Sequence, residues 1–212
     1  MTSTRAEIKT HTQTRVLDAA EQIFQEEGFA GASIRGIAKS AGVSTGTVIS
    51  VGDKKTLLVR VFDRLIEAEH NRDAAGGNVE SVTTRPRRLS GVEYRSPGTG
   101  TCSDRLVALA APFVAVFMRN DDLARVYASI LVSGGHSSSL FSELAARLTE
   151  EFRSVITERG CTPRSEAAQK AGALYFAYVG LLFTASARRA SDPADLAADL
   201  HRAFAAICTC TE

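Results

Sequence analysis

Few residues in this chain could carry proton or metal chemistry, since its 212 residues include only His11, His70, His136 and His201 as histidines. Glu67 and His70 form one Glu-x-x-His pair, whereas a di-iron helical bundle takes two such pairs and further glutamates. His136 stands in SGGHSSS, where a serine–histidine pair is conceivable. No acid partner is suggested for it, and a polar connection between two helices accounts for the stretch. Cys102, Cys161, Cys208 and Cys210 are too scattered for a disulfide framework. Cys208-Thr-Cys210 supplies two ligands where a structural zinc site takes four. These patterns point away from an enzyme, and neither a cofactor nor a resident metal is expected.

A denser set of functional groups lies between residues 33 and 55. Ser33, Arg35, Ser44, Thr45, Thr47, Ile49, Ser50, Lys54 and Lys55 combine short hydroxyls with cations, the groups that reach base edges and phosphates in a DNA major groove. Over that stretch Arg35, Lys39, Lys54 and Lys55 oppose Asp53 alone, a local excess of +3 in a chain of formal net charge +1. Any nucleic-acid surface is therefore local. The same stretch carries Ile37, Ala38, Ala41, Gly42, Val43, Val48 and Val51 at the offsets two short helices need to cross around a tight turn. Ala38 allows close approach, and Gly42 permits the turn.

The elements that must hold these groups read as helical almost throughout. Apolar residues recur at three and four, and no β-branched alternation competes. Val16, Leu17, Ala20, Ile23 and Phe24 make one helical face ended by Gly28. Ser33, Ser44 and Asp53 cap three further helices, the last bearing Leu57, Leu58, Val61, Phe62, Leu65 and Ile66. Helices are also expected near 103–119, 122–133, 138–159, 164–190 and 193–208. Between 74 and 101 the composition turns to Gly, Ser, Thr, Pro and Arg, as a linker or mobile loop does. Its Arg85, Arg87, Arg88 and Arg95 are candidates for phosphate contact, although charge in such a segment is usually only solvated. Composition, 44% hydrophobic and 23% charged, is that of a globular chain able to bury a core. With no cleavable apolar leader after Met1, the expectation is a cytoplasmic protein with free thiols.

Residues 171–187, AGALYFAYVGLLFTASA, contain no charge, yet are short for a membrane span and suit a buried helix. One stripe, Ala173, Ala177, Gly180 and Thr184, is uniformly small and lets another helix approach closely. With Leu196, Leu200 and Phe204 of the last helix it reads as a subunit contact, a four-helix bundle across a two-fold axis. For a small-molecule site between helices the candidates are Phe113, Phe117, Tyr127, Phe152, Tyr175 and Tyr178.

Along residues 12 to 66 the chain resembles the TetR-type transcriptional regulators. The resemblance is carried by the alanines, phenylalanine and glycine of the first helix, by SIRGIA and AGVSTGT across the turn, and by Lys55. It implies an all-α regulator with a helix-turn-helix DNA-binding domain at 1–53 and a ligand-binding and dimerisation domain at 54–212. The implied partners are a double-stranded DNA operator, a small-molecule effector and a second copy of the chain. Where such regulators usually carry a tyrosine that grips a phosphate this chain has Ile49, and Val51 and Gly52 stand where further aromatics commonly follow. One lost phenol removes one hydrogen bond, about 0.5–1.5 kcal/mol net. The contrasting reading is a helical sensor or adaptor whose DNA binding is weak or lost.

Overall fold

The computed structural model describes residues 5–76, 88–89, 92–93, 100–136, 138–160, 162–188, 192–208 and 210. Its helices are α1 (Arg5–Gly31), α2 (Ile34–Ala41), α3 (Thr45–Val51), α4 (Lys54–Gly76), α5 (Cys102–Arg119), α6 (Asp121–Val132), α7 (Ser139–Glu158), α8 (Arg164–Arg188) and α9 (Pro193–Cys208). The only strands among the described residues are β1 (Arg88–Leu89) and β2 (Val92–Glu93), which pair antiparallel. The all-α expectation holds, and the helices after residue 100 begin and end within two residues of the positions read from the sequence. Gly28 stops the first helical run as expected, at φ 68° and ψ 171°, and a short further turn carries α1 on to Gly31. One expectation changes. Residues 74–76, expected to open a linker, belong instead to α4, which continues through Gly76. Most of the remainder up to residue 99, including Arg85, Arg87 and Arg95, lies outside the described residues.

The chain forms two compact units, residues 1–65 with 120–138 and residues 66–119 with 139–212. In the first, α1 packs on α2, α3 and α6. Val16, Leu17, Ala20 and Phe24 of α1 are buried with Ile37, Ala38 and Ala41 of α2 and Val48 of α3, the 3.6-residue period that an amphipathic helix requires. Leu57, Leu58, Val61 and Phe62 of α4 are fully buried. Phe62 stacks on Tyr127 of α6 with ring centroids 4.6 Å apart. Asp63 accepts hydrogen bonds from the Tyr127 hydroxyl at 2.9 Å and from Ser138 at 2.8 Å. A buried phenol and a buried serine hydroxyl are thereby both satisfied.

In the second unit α5 is buried on most of its circumference and packs on α7, α8 and α9, while α8 packs on α7 and α9. Phe152 of α7 meets Phe204 of α9 edge to face at 5.6 Å, both rings fully buried. Arg105 reaches Glu158 at 2.9 Å, and His201 lies 3.2 Å from Asp104. Among the described residues no helix is long and apolar enough to cross a membrane.

Candidate nucleic-acid interface and apolar cleft

Helices as short as α2 and α3, 8 and 7 residues, are not stable by propensity and must be held at their ends. Ser33 caps α2, its Oγ accepting the Gly36 N–H at 3.0 Å, and Ser44 caps α3 by accepting the Thr47 N–H at 3.1 Å. Between them Gly42 sits in the left-handed region (φ 62°, ψ 39°), and the Val43 N–H donates to Ala38 O at 3.0 Å. This is the turn that a residue without Cβ makes cheaply. Arg15 of α1 closes the same turn by donating to the Ala41 carbonyl. Asp53 caps α4 through the Thr56 N–H at 2.7 Å. That bond holds its carboxyl below the usual carboxylate range, and His136, 3.6 Å away, adds a smaller lowering contribution.

The polar residues expected to meet DNA fall into two groups. Arg35, Thr45, Ile49, Ser50 and Lys55 are exposed and Thr47 is half-buried, so α3 presents a face of hydroxyls with the apolar Ile49, 62% exposed, in its midst. Lys54 does not belong to that face. Its ammonium donates to Phe29 O at 2.7 Å and Ala32 O at 2.9 Å and lies 4.5 Å from the centroid of the Phe29 ring. A lysine at the last carbonyls of α1 satisfies orphan acceptors and opposes the negative end of the helix dipole. Lys54 is thus a structural cation, and the outward charge rests on Arg35, Lys39 and Lys55. Adjacent lysines at a helix start look identical in sequence. Only the open carbonyls at the C-terminal end of α1 distinguish them.

Gly52 bears on the missing aromatics as well. A Cβ placed there would come within 2.7 Å of Thr56 Cγ2, so a side chain at this position requires Thr56 to move.

The second unit contains an apolar cleft that is open to solvent. Phe113 and Phe117 of α5 and Tyr175 and Tyr178 of α8 line it, four of the six candidates, together with Ile66, Leu144, Ala145, Leu148, Val179, Leu182 and Phe183. Tyr127 and Phe152 do not. Tyr127 is in the first unit with its hydroxyl on Asp63, and Phe152 is core against Phe204. The residues that sequence reasoning missed are aliphatic for the most part, and nothing in an apolar helix repeat separates a cleft wall from core. Burial raises the Tyr178 and Tyr175 phenols above the usual tyrosine range.

The candidate subunit contact divides similarly. Ala173, Gly180 and Thr184 are exposed and Ala177 half-buried, and Phe176 on the same face is 73% exposed. Leu196, Leu200 and Phe204 face the protomer's own core, at 3%, 1% and 0% exposure. They are corrected here from partner-facing to intrachain residues: α9 turns its leucine and phenylalanine stripe toward α5 and α8. Among the described residues, no group of three or more His, Cys, Asp or Glu is placed to hold a metal ion.

Residues 16–50 match the family model for bacterial regulatory proteins of the tetR family. The chain is similar to the HTH-type transcriptional regulator UidR of Escherichia coli K12, 51% identical over 51 residues, 24% of this chain and 26% of UidR. The matched stretch thus spans about a quarter of the length of the curated relatives. By fold it is similar to a TetR transcriptional regulator from Rhodococcus sp. RHA1, with TM-score 0.58, 19% identity and coverage of 93% of this chain and 95% of that one. It is also similar to the transcriptional regulator FadR of Bacillus subtilis, solved in complex with stearoyl-CoA, at TM-score 0.58, 14% identity and coverage of 90% and 96%.

Proposed function

We propose that this chain, which has the recognition-domain sequence and the fold of the TetR-type regulators, is a transcriptional repressor released from its operator by a small molecule. The observation that carries the DNA-binding part is the exposed face of α3, where Thr45, Thr47, Ile49 and Ser50 stand beside Arg35 and Lys55 with every backbone cap already made by Ser33, Ser44 and Asp53. A dimer would set two such helices in successive major grooves about 34 Å apart on a pseudo-palindromic site. The uncharged stripe of α8, with Phe176 unburied in the protomer, supports a second copy as the partner. The functional division at 53/54 is part of this proposal: a reading head, then a domain that dimerises and binds the effector in the apolar cleft.

The effector would act by binding more tightly to a conformer whose two reading heads no longer match the operator spacing, so ligand lowers DNA affinity by that difference and by no other means. Titration of the full chain with its own upstream DNA and with random DNA, at two salt concentrations, tests the reading. Operator preference with a steep salt dependence is expected. Binding to neither DNA at low salt would overturn it and leave the helical sensor, the alternative that the missing aromatic at Ile49 favours.

A further inference from the structure

The cleft of the second unit is lined by eleven residues, none of them charged and none of them Asn, Gln, Ser or Thr. Its polar groups are two phenol hydroxyls. Tyr178 is only 6% exposed, and its hydroxyl makes no hydrogen bond to another described residue. A phenol hydroxyl in the wall of an apolar cleft, with no partner among the described residues, is free to donate to a ligand atom. Resting on the reading of this cleft as the effector site, we propose that its ligand is an uncharged, flat and largely apolar molecule that offers one hydrogen-bond acceptor, a carbonyl or ether oxygen, to the Tyr178 hydroxyl.

Each part follows from the lining. A carboxylate or ammonium entering the cleft would leave water for a wall without a counter-charge, which costs more than a phenol can return. Two ionisable groups of α4 are engaged elsewhere: His70 stacks on Phe113 at 6.1 Å without lining the cleft, and Glu69 is 3.6 Å from Arg119. Phe113, Phe117 and Phe183 supply ring faces and edges suited to an aromatic or planar body. Burial holds the Tyr178 phenol protonated across the physiological range, so toward an oxygen ligand it acts as a donor.

Three naphthalenes of similar shape make the test: 2-acetylnaphthalene carries an acceptor, 2-ethylnaphthalene carries none, and 2-naphthoate is an anion. In calorimetric titrations of the full-length protein, the acetyl compound should bind about five-fold more tightly than the ethyl compound, the equivalent of one neutral hydrogen bond. Naphthoate should bind at least ten-fold more weakly than the acetyl compound. Tyr178→Phe, which removes one oxygen and leaves the ring, should abolish the acetyl-over-ethyl preference. Ala145→Phe, which fills the cleft from α7, should block all three. Naphthoate binding as tightly as the ketone, a preference that survives Tyr178→Phe, or binding that survives Ala145→Phe in a folded protein would each overturn the proposal. So would a protein that binds DNA but none of the three probes, which leaves the DNA-binding reading standing. The reverse result, probes bound in the expected order with no change in DNA affinity, overturns release by effector and leaves the ligand class intact.

Discussion

In the unit made of residues 1–65 and 120–138, helices of 7 and 8 residues are held by side chains that close their ends, whereas in the unit made of 66–119 and 139–212 helices of 16 to 25 residues are held by their apolar faces. The short helices leave at least as many orphan N–H and C=O groups as they satisfy. Ser33, Ser44, Asp53, Arg15 and Lys54 supply the missing partners, and each does so at one fixed position. The long helices spread their stability over many interchangeable Leu, Ala, Val and Phe contacts, so a cleft can open among them without unfolding the unit. Position-specific polar contacts suit a head that must present a fixed face, and diffuse apolar packing suits a domain that must accommodate a ligand.

Substitutions that remove one contact of each kind sharpen this comparison. Phe204→Ala should have the largest effect, because the ring is fully buried against Phe152. Loss of about 3–5 kcal/mol is expected for a core phenylalanine. It should appear as a large drop in the denaturant midpoint. The sequence expectation that Phe204 faces a partner predicts instead a folded protomer that fails to dimerise, and sedimentation beside the unfolding curve separates the two.

Next in size is the contrast between two adjacent lysines. Lys54→Ala removes a cation from the carbonyls of Phe29 and Ala32 and should cost about 1–3 kcal/mol, roughly 2–12 °C in Tm for a chain of this size. Its sequence preference and salt dependence on DNA should not change. Lys55→Ala should do the reverse: no loss of stability, weaker binding to all DNA by similar factors, and a salt slope reduced by about one unit. If Lys54→Ala flattened the salt slope and left Tm alone, the lysine would belong to the DNA face after all.

Those two lysines mark how far the sequence could be read. The helix boundaries, the caps at Ser33, Ser44 and Asp53 and the turn at Gly42 were legible because each depends on residues within four positions of one another. Lys54 was not, since its acceptors, at the C-terminal end of α1, lie 22 and 25 positions away. In the second unit the helices were legible and their inward faces only partly so. Phe113, Phe117, Tyr175 and Tyr178 line the cleft while Phe152 packs in the core, a distinction that depends on which helix lies opposite. A period of 3.6 marks a stripe as apolar and leaves open whether it meets its own chain, a ligand or a second copy. Leu196, Leu200 and Phe204 were misjudged for that reason.

The α8 stripe offers an intermediate effect. A Cβ at Gly180 meets nothing within 4 Å in the protomer, and leucine is a better helix former than glycine by roughly 0.5–1 kcal/mol. Gly180→Leu should therefore leave the protomer as stable or slightly more so. At a close contact between two copies the added bulk should cost about 1–3 kcal/mol, raising the dimer dissociation constant and with it the protein concentration needed to hold operator DNA. An unchanged dimer in sedimentation would take this stripe out of the interface.

The smallest effect is expected at Ile49, which is 62% exposed in the middle of the α3 face while its neighbour Val48 is fully buried. Ile49→Tyr alters only the outward surface, so the fold should not register it. If the head lacks one phosphate contact, the new phenol supplies a hydrogen bond worth about 1 kcal/mol, and affinity should rise a few-fold on operator and random DNA alike, because phosphates carry no base information. If Ile49 instead packs on a thymine methyl, random-DNA affinity should stay near its starting value while operator preference falls. Titrating both proteins against both DNAs distinguishes the outcomes. A loss on the operator alone would make Ile49 a reader of sequence rather than the remnant of a backbone grip, and the diffuse, apolar kind of contact that builds the second unit would then also serve recognition in the first.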